Sequence, residues 1–277
     1  MKRKLKKNLD MYCLSLNDKH YDSIKKLGYI PVGLGNKKFR NNWITDKIGK
    51  NISKKNPYYG EYTFHYCLWK NNFPKINNNK WIGFCQYRKF WVLKKNNLKK
   101  NIDIKELSKI TINSIPSKFN KCDSIIGEPM YINQFRFSKF LKRNLLKMIF
   151  NPSFFFNKKK RNIKFHFDMW HGDGNLDKAI NLLDSNDREN FKTFVNLKTS
   201  FNPHNMFICK KAVLIKYYNS VFPWLKECEK LFGFSNLKGF GLQRIYGFLA
   251  ERYMSYWFRK NSKYKTLPII FFDISKF

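Results

Sequence analysis

The 277-residue sequence lacks the patterns expected of a bilayer span, a secretory leader and a zinc site. No run of roughly 18 uninterrupted apolar residues occurs, so no segment is predicted to span a membrane. The basic start lacks a continuous apolar stretch and a small-residue cleavage site, and therefore does not predict a signal peptide. The six cysteines form no Cys-x-x-Cys pair and no ligand cluster with the five histidines, which indicates buried free thiols in a reducing compartment.

Acidic side chains are scarce, with 19 Asp and Glu against 55 Lys and Arg and a formal net charge of +36. Such a charge draws a protein toward phosphates and acidic headgroups at modest salt. A coding bias toward Lys and Asn explains the same composition, because both residues occur throughout the chain. Nucleic-acid binding is the less favoured alternative, since the basic residues are dispersed and no RRM, helix-turn-helix or zinc-finger pattern occurs.

Short apolar runs alternate with amphipathic stretches, which is typical of an α/β layered sheet. The length fits one domain with insertions. We expect a basic tail over residues 1–10, the main domain over 11–258 and a C-terminal extension over 259–277. Within the domain, residues 135–161 interleave Phe, Leu and Ile with Lys and Arg. That composition indicates either a segment at an anionic membrane surface or a core helix with a solvated basic face.

Two neighbouring segments carry an unusual density of polar and aromatic residues: residues 51–71, NISKKNPYYGEYTFHYCLWKN, and residues 81–90, WIGFCQYRKF. In the first, Glu61, His65 and Trp69 share helical spacing, so one helix face is expected to present polar groups to a site. The second is an apolar strand that ends on Tyr87-Arg88-Lys89. Open α/β sheets bind ligands at the carboxyl ends of their strands. The pattern therefore favours an enzyme over a basic binding module.

Five ordered blocks carry a family resemblance: the two segments above, then CDSII, HNMFICKK and YGFLAERYMSYWF. In this order and spacing they resemble the DUF4422 family of bacterial glycosyltransferase-like proteins, associated with capsule, lipopolysaccharide and exopolysaccharide assembly. The resemblance covers about residues 11–257. It implies a GT-A-like, Rossmann-like mixed sheet flanked by helices in a single domain. It also implies a nucleotide-sugar donor and a glycan or lipid-linked acceptor.

The sequence departs from the family and fold pattern at three points. Gln86 stands where the family usually has a His before Tyr-Arg-Arg, so a role that needs an imidazole there is in doubt. The basic segment 135–161 is longer than the family usually carries. GT-A enzymes usually hold a metal with Asp-x-Asp at a strand end, and this sequence contains no Asp-x-Asp.

The donor site is expected around the first two blocks. With no acid pair, Arg88 and Lys89 at the strand end and Lys55 upstream are predicted to stabilise the leaving diphosphate without an obligatory metal, although Mn²⁺ or Mg²⁺ remains open as a cofactor. The alternative for Arg88 is a structural salt bridge, with Glu61 as a candidate partner. Further donor contacts are predicted from Asn51, Asn56, Tyr58, Glu61 and Tyr87, with turn formation as the alternative for the two asparagines.

A carboxylate is needed to take the acceptor proton if the reaction inverts the anomeric centre. Asp173 in His-Gly-Asp-Gly-Asn is the first candidate, because flanking glycines allow an acceptor to approach; its alternative is a helix cap. Glu251 is the second candidate, and its alternative is a buried ion pair with Arg252 or Arg88. His171, His204 and Asn205 are predicted acceptor contacts.

These features predict a cytoplasmic glycosyltransferase bound peripherally at the inner face of the membrane. Two alternatives stay open at this point. One is a basic nucleic-acid-binding protein, and the other is a catalytically inactive relative that only binds glycan.

Overall fold

The computed structural model of the protein describes residues 8–71, 80–95, 102–134, 157 and 160–276. The chain forms two compact units. Unit 1 comprises Met1–Glu128, His204–Ser220 and Phe258–Phe277, and unit 2 comprises Pro129–Pro203 and Val221–Trp257. The chain therefore enters and leaves unit 2 twice. Of the predicted basic segment 135–161, all but Asn157, Lys160 and Arg161 lies outside the described residues.

The strands of unit 1 form a sheet of nine described strands in the order β10-β6-β9-β4-β1-β2-β3, with β5 paired to β4 and to β11. Their bounds are β1 Leu9–Ser15, β2 Ile30–Gly33, β3 Ile44–Thr45, β4 Trp81–Gln86, β5 Lys89–Trp91, β6 Ser124–Gly127, β9 Phe207–Lys210, β10 Tyr264–Leu267 and β11 Ile269–Phe271. In unit 2, β7 Met130–Tyr131 pairs with β8 Ser200–Phe201.

The helices of unit 1 are α1 Tyr21–Lys26, α2 Asn56–Tyr59, α3 Tyr62–Lys70 and α4 Ile104–Ile110. Those of unit 2 are α5 Ile163–His171, α6 Asn175–Ile180, α7 Ser185–Leu197 and α9 Gly239–Gln243. Two longer helices, α8 Lys211–Phe232 and α10 Ile245–Asn261, contribute residues to both units. Short 3-10 turns cover Asp18–His20, Ser53–Lys55, Ser117–Phe119, Ile132–Gln134 and Ile274–Lys276.

The central strands follow from their apolar sequences. In β1, LDMYCLS, every residue but Asp10 is buried, and β4, WIGFCQ, is buried up to Gln86. Near-continuous apolar runs are typical of strands covered on both faces. β1 runs parallel to β2 and β4, whereas β9 runs antiparallel to β4 and β6. The predicted mixed α/β sheet flanked by helices is confirmed.

Element bounds differ from expectation at three places. Leu9 and Asp10, expected in a tail, begin β1, because their backbone pairs with Trp81 and Ile82. The segment expected as a C-terminal extension supplies β10 and β11 to the sheet of unit 1. The helix expected to carry Glu61, His65 and Trp69 begins only at Tyr62, because Gly60, with a φ of 56° and a ψ of −129°, separates it from α2.

The interior of each unit is rich in aromatic residues. All six cysteines are free and buried, as the lack of Cys-x-x-Cys pairs and ligand clusters predicts. In unit 2, Asp187 accepts hydrogen bonds from the hydroxyls of Tyr253 at 2.9 Å and Tyr256 at 2.8 Å. Among the described residues, no helix is both long and apolar enough to cross a membrane.

Candidate functional site

One edge of the unit 1 sheet collects strand ends from different parts of the chain. The parallel strands β1, β2, β4 and β6 all point their carboxyl ends to this edge, while antiparallel β9 begins there. Gln86 ends β4, Glu128 follows β6, and His204 and Asn205 precede β9. This is the edge at which open α/β sheets bind ligands.

Gln86 connects several predicted site residues. Its Nε2 donates to Glu61 Oε1 at 2.8 Å and to the His204 carbonyl at 2.9 Å. Its Oε1 accepts from Lys89 Nζ at 3.3 Å. We call Glu61, Gln86, Lys89 and His204 the Gln86 cluster. The position that departs from the family pattern is thus a hydrogen-bonding centre in this protein.

The turn before β9 has an unusual backbone. His204 and Asn205 are consecutive non-glycine residues with φ of 84° and 52°. Left-handed backbone is uncommon outside glycine, although Asn and His adopt it more readily than most residues. Gln86 fixes this turn through the His204 carbonyl. Such backbone persists where the surroundings determine it, and it concentrates at functional sites.

Tyr87 and Arg88 are held by the C-terminal segment of the chain. Arg88 Nε lies 2.8 Å from Asp273 Oδ2, and its guanidinium lies 4.8 Å from the Tyr87 ring centroid. The Phe272 and Ile274 amides donate to the Arg88 and Tyr87 carbonyls at 3.0 and 3.3 Å. The sequence offered Glu61 as a salt-bridge partner for Arg88, whereas the structure places Arg88 on Asp273 and Glu61 on Gln86.

His20 packs against the same strand end and was not singled out from the sequence. Its ring stacks on Tyr87 with centroids 4.7 Å apart, and its Nδ1 lies 2.8 Å from Ser15 Oγ at the end of β1. Burial lowers the pKa of His20; the nearby Asp273 carboxylate acts in the opposite sense and Arg88 reinforces the lowering. His20 is therefore a neutral support for Tyr87.

Asp46 is a second residue that the sequence did not reveal. Its carboxylate is fully buried, and both oxygens accept from the Gly35 amide at 3.0 Å. Burial raises the pKa of Asp46, while hydrogen bonds from Thr63 and Gly35 oppose the shift. Gly35 has a φ of +68°, and a Cβ there would lie 3.1 Å from the Asn56 side chain. Asp46 thus fixes the loop that follows β2.

Asn51 and Asn56, which were predicted to contact the nucleotide sugar, form hydrogen bonds within turns. Asn51 Nδ2 donates to the Lys47 and Gly49 carbonyls at 3.0 and 2.8 Å, and its Oδ1 accepts from the Ser53 amide and hydroxyl. Asn56 Nδ2 donates to the Gly60 carbonyl at 2.9 Å and to Thr63 Oγ1 at 3.2 Å. Lys55 ends the 3-10 turn between them, and Tyr58 lies in α2.

The expectation that Glu61, His65 and Trp69 share one site-facing polar surface is wrong. Only Glu61 belongs to the Gln86 cluster. His65 is fully buried, with Nδ1 2.6 Å from the Tyr218 hydroxyl, and Trp69 Nε1 donates to Asn219 Oδ1 at 2.7 Å. Helical spacing alone does not separate a polar face from a buried polar pair.

Unit 2 contains the predicted base and one predicted acceptor contact. Asp173 is exposed between Gly172 and Gly174, whose φ values are 92° and 71°, and Gly174 occupies the N-cap of α6. His171 is buried; its Nδ1 lies 3.0 Å from the Gly241 carbonyl. Burial, reinforced by the charge of Arg252, lowers the pKa of His171 to about 3.

Glu251 is in the ion pair that the sequence allowed as its alternative. Its Oε2 accepts from Arg252 Nη1. Arg252 is 1% exposed, with Nη2 3.2 Å from His166 Nδ1 and its guanidinium 3.8 Å from the Phe201 ring centroid. Burial lowers the pKa of Arg252, and the Glu251 carboxylate opposes that shift.

The described part of the chain contains no group of three or more His, Cys, Asp or Glu side chains that could hold a metal ion. At the sheet edge, positive charge comes from Lys89 and Arg88.

The chain is similar to a protein-family model and to several solved structures. The model of DUF4422, a domain of unknown function, matches residues 13–262. The apo structure of WbbM, a bifunctional glycosyltransferase, superposes with a TM-score of 0.68 at 19% identity. The match covers 95% of this chain and 45% of WbbM, so the chain spans less than half of that protein. The likeness shows a GT-A-like fold.

Two fungal structures are more distant. Core-mannan synthase A (CmsA/Ktr4) from Aspergillus fumigatus, in an Mn/GDP form, matches with a TM-score of 0.35 and 10% identity over 98% of this chain and 76% of that one. The mannosyltransferase Ktr4p from S. cerevisiae matches with a TM-score of 0.27 and 12% identity over 89% and 63%. Both are too distant to support an inference. No curated protein matches the chain.

Proposed function

The chain belongs to the DUF4422 family, and from that premise we propose that it is a glycosyltransferase of surface-polysaccharide synthesis. It transfers a sugar from a nucleotide-sugar donor to a glycan or lipid-linked acceptor. One observation carries the proposal: acidic, basic and amide side chains meet in the Gln86 cluster, at the ligand-binding edge of a GT-A-like sheet.

The donor is assigned to unit 1. Lys89, Arg88 and Lys55 oppose the negative charge that develops on the diphosphate as it leaves, which is the role usually filled by a metal. Preorganised charges of this kind stabilise a transition state without reorganisation at the moment of reaction. We place three side chains beside the nucleoside, those of Asn51, Asn56 and Tyr58; the two asparagines also hydrogen-bond within their turns. The ring of Tyr87 packs against the Arg88 guanidinium and supports it.

The chemical step needs a base as well as a leaving-group site. The acceptor oxygen forms a bond to the anomeric carbon, and the bond from that carbon to the diphosphate oxygen breaks, with its electron pair remaining on the diphosphate. In an inverting reaction a carboxylate takes the hydroxyl proton. We assign this role to Asp173, with Glu251 as the second candidate. His171, His204 and Asn205 are the proposed acceptor contacts.

The proposed place of action is the cytoplasmic face of the membrane, where a lipid-linked acceptor would be presented. The net charge of +36 supports this location, since basic segments are attracted to anionic headgroups. Co-sedimentation with vesicles of anionic and of zwitterionic lipid tests it. Equal binding to both compositions would contradict an electrostatic attachment.

A panel of nucleotide sugars tests the activity, with thermal shift reporting binding and nucleotide release reporting turnover. We expect at least one nucleotide sugar to stabilise the protein, and release to continue in excess chelator. Lys89→Met should weaken binding about tenfold or more, as expected for a lost charged hydrogen bond, whereas the exposed Lys105→Met in α4 should not. Strict dependence on Mn²⁺ or Mg²⁺ would contradict the metal-independent mechanism. Salt-sensitive binding to DNA or RNA without nucleotide-sugar binding would contradict glycosyl transfer itself.

A further inference from the structure

The guanidinium of Arg88 holds an anion that belongs to the chain itself. Its Nε lies 2.8 Å from Oδ2 of Asp273, in the turn formed by residues 272–276, which we call the Asp273 turn. The Phe272 amide donates to the Arg88 carbonyl at 3.0 Å, so this turn lies directly on the connection between β4 and β5. A carboxylate of unit 1 therefore occupies one of the cations assigned to the diphosphate.

The two oxygens of the Asp273 carboxylate have separate partners. Oδ2 faces Arg88 Nε, whereas Oδ1 accepts a hydrogen bond from the Ser275 amide in the same turn at 3.0 Å. Opening the ion pair leaves the bond from Ser275 in place. Because the Arg88 side chain is 48% exposed, such a pair shifts an equilibrium by a factor of about five or less. The pair is closed most of the time, yet it opens at low cost.

The Arg88 side chain has a second support that does not involve Asp273. Its guanidinium lies 4.8 Å from the Tyr87 ring centroid, and that ring stacks on His20 with centroids 4.7 Å apart. A guanidinium carries five N–H donors in a planar fork, and this one is reachable from solvent. Arg88 can therefore stay in position while the anion that it binds changes.

A diphosphate is a stronger competitor for Arg88 than one carboxylate is. It carries more negative charge, and arginine binds phosphate oxygens through paired hydrogen bonds. Lys89, the next residue in the chain, adds a second positive charge that the proposed function assigns to the same diphosphate. Both properties favour exchange of the Asp273 carboxylate for phosphate.

We propose that Asp273 is an internal competitor of the donor: it occupies Arg88 until the diphosphate of the nucleotide sugar displaces it. The contact is autoinhibitory, since only molecules with an open ion pair have Arg88 available for the diphosphate. The apparent dissociation constant rises as that fraction of molecules falls. The inference rests on the proposed glycosyltransferase function and on the assignment of Arg88 to the diphosphate.

Asp273→Asn tests this inference, because it keeps the shape of the side chain and removes its charge. UDP, GDP and the nucleotide sugars of the panel are titrated into the full chain near 0.15 M salt, and calorimetry gives the dissociation constants. We expect each of these ligands that binds the wild type to bind Asp273→Asn about three- to fivefold more tightly, the range that an exposed ion pair allows.

Asp18 and Arg40 provide a matched control in unit 1. Arg40 Nε lies 2.9 Å from Asp18 Oδ2, and the Arg40 side chain is 49% exposed, so this ion pair resembles that of Arg88 in length and exposure. Asp18→Asn removes the same amount of negative charge without breaking the pair at Arg88. It should leave the affinity for nucleotides unchanged.

A double-mutant cycle shows whether the gain in affinity acts through Arg88. Arg88→Gln removes the cation and should weaken nucleotide binding. Adding Asp273→Asn to Arg88→Gln should then change the affinity no further, because no guanidinium is left to compete for. Thermal unfolding verifies that every variant in the comparison is folded.

The outcomes distinguish this inference from the function on which it rests. An unchanged or weaker affinity in Asp273→Asn, or an equal gain in Asp18→Asn or in the Arg88→Gln background, overturns the competition and leaves glycosyl transfer standing. A gain that occurs only in Asp273→Asn with Arg88 present supports it. If no nucleotide and no nucleotide sugar in the panel binds, the glycosyltransferase function and the inference are both overturned.

Discussion

Arg88 Nε and Asp273 Oδ2 lie 2.8 Å apart, which joins the end of β4 to the last described turn of the chain. Arg88 was expected to face the diphosphate. Its guanidinium instead already has a carboxylate partner, and its backbone carbonyl accepts from Phe272. Any phosphate contact by Arg88 must therefore compete with Asp273.

Asp273→Asn is expected to lower stability in a pH-dependent way. Burial acts to raise the pKa of Asp273, but hydrogen bonds from Ser275 and the charge of Arg88 outweigh it and lower the pKa. The contribution is thus present above the ordinary aspartate pKa and is lost as pH falls through the lowered value. Because Arg88 is 48% exposed, the loss should not exceed about 1 kcal/mol at pH 7. Urea unfolding at pH 7 and pH 2 measures it; a difference that persists at pH 2 would contradict the ion-pair origin, and exposed Asp22→Asn is the control.

The buried His65 should cause a second pH dependence of stability, in this case from a basic side chain. Burial lowers its pKa from 6.5 to about 3, so the unfolded chain binds a proton at a higher pH than the folded protein does. Stability should therefore fall as pH drops from about 6.5 toward 3. His65→Gln keeps a hydrogen-bonding group near Tyr218 and should reduce this slope by about 1.4 kcal/mol per pH unit. Tyr218→Phe removes the same hydrogen bond but should keep the slope; equal slopes in the wild type and His65→Gln would refute the prediction.

Asp173→Asn tests the proposed base. We expect transfer to fall by a factor of about 10² or more, the range typical of general-base removal, while the dissociation constant of the nucleotide sugar stays within about twofold. Single-turnover kinetics and calorimetry give the two values. Near-normal turnover would exclude Asp173, and Asp177→Asn, one turn further into α6, is the matched control.

The main expected effect of Glu251→Gln is a loss of stability and not a direct effect on the chemical step. The change leaves the buried Arg252 guanidinium without its carboxylate, which destabilises proteins by about 3 kcal/mol or more. Replacing both residues, as Glu251→Leu with Arg252→Met, should cost less than the single change. Chemical denaturation measures both. A Glu251→Gln protein of wild-type stability with no transfer activity would instead favour Glu251 as the base.

The sequence predicts the central strands of the sheet, because apolar runs such as β1 and β4 can be recognised without knowledge of their contacts with distant residues. It also places Tyr87, Arg88 and Lys89 correctly at a strand end. It does not predict which residues these side chains contact. Nothing in the local pattern around Asp273 indicates that it will meet Arg88, since the contact depends on β11 pairing with β5.

The sequence also did not predict which single polar residues are buried. His20 and Asp46 are single polar residues in short, unremarkable stretches, and only tertiary contacts reveal their burial. The separation of α2 from α3 at Gly60 shows the same limit, because the backbone of Gly60 has a positive φ that composition alone does not predict. The sequence identified Gln86 as a departure from the family pattern. Its hydrogen bonds could not be predicted, because one acceptor lies in the turn at His204, far along the chain.

The nesting of the two units determines when unit 1 can complete its sheet during synthesis. Strand β6 leaves the ribosome early, yet its neighbours β9 and β10 begin at Phe207 and Tyr264. Until those residues emerge, an apolar edge of the nascent chain has no partner. Unpaired edges of this kind are prone to aggregation, and long-range pairing slows folding. Chaperone dependence should therefore be greatest for chains arrested between residues 128 and 207.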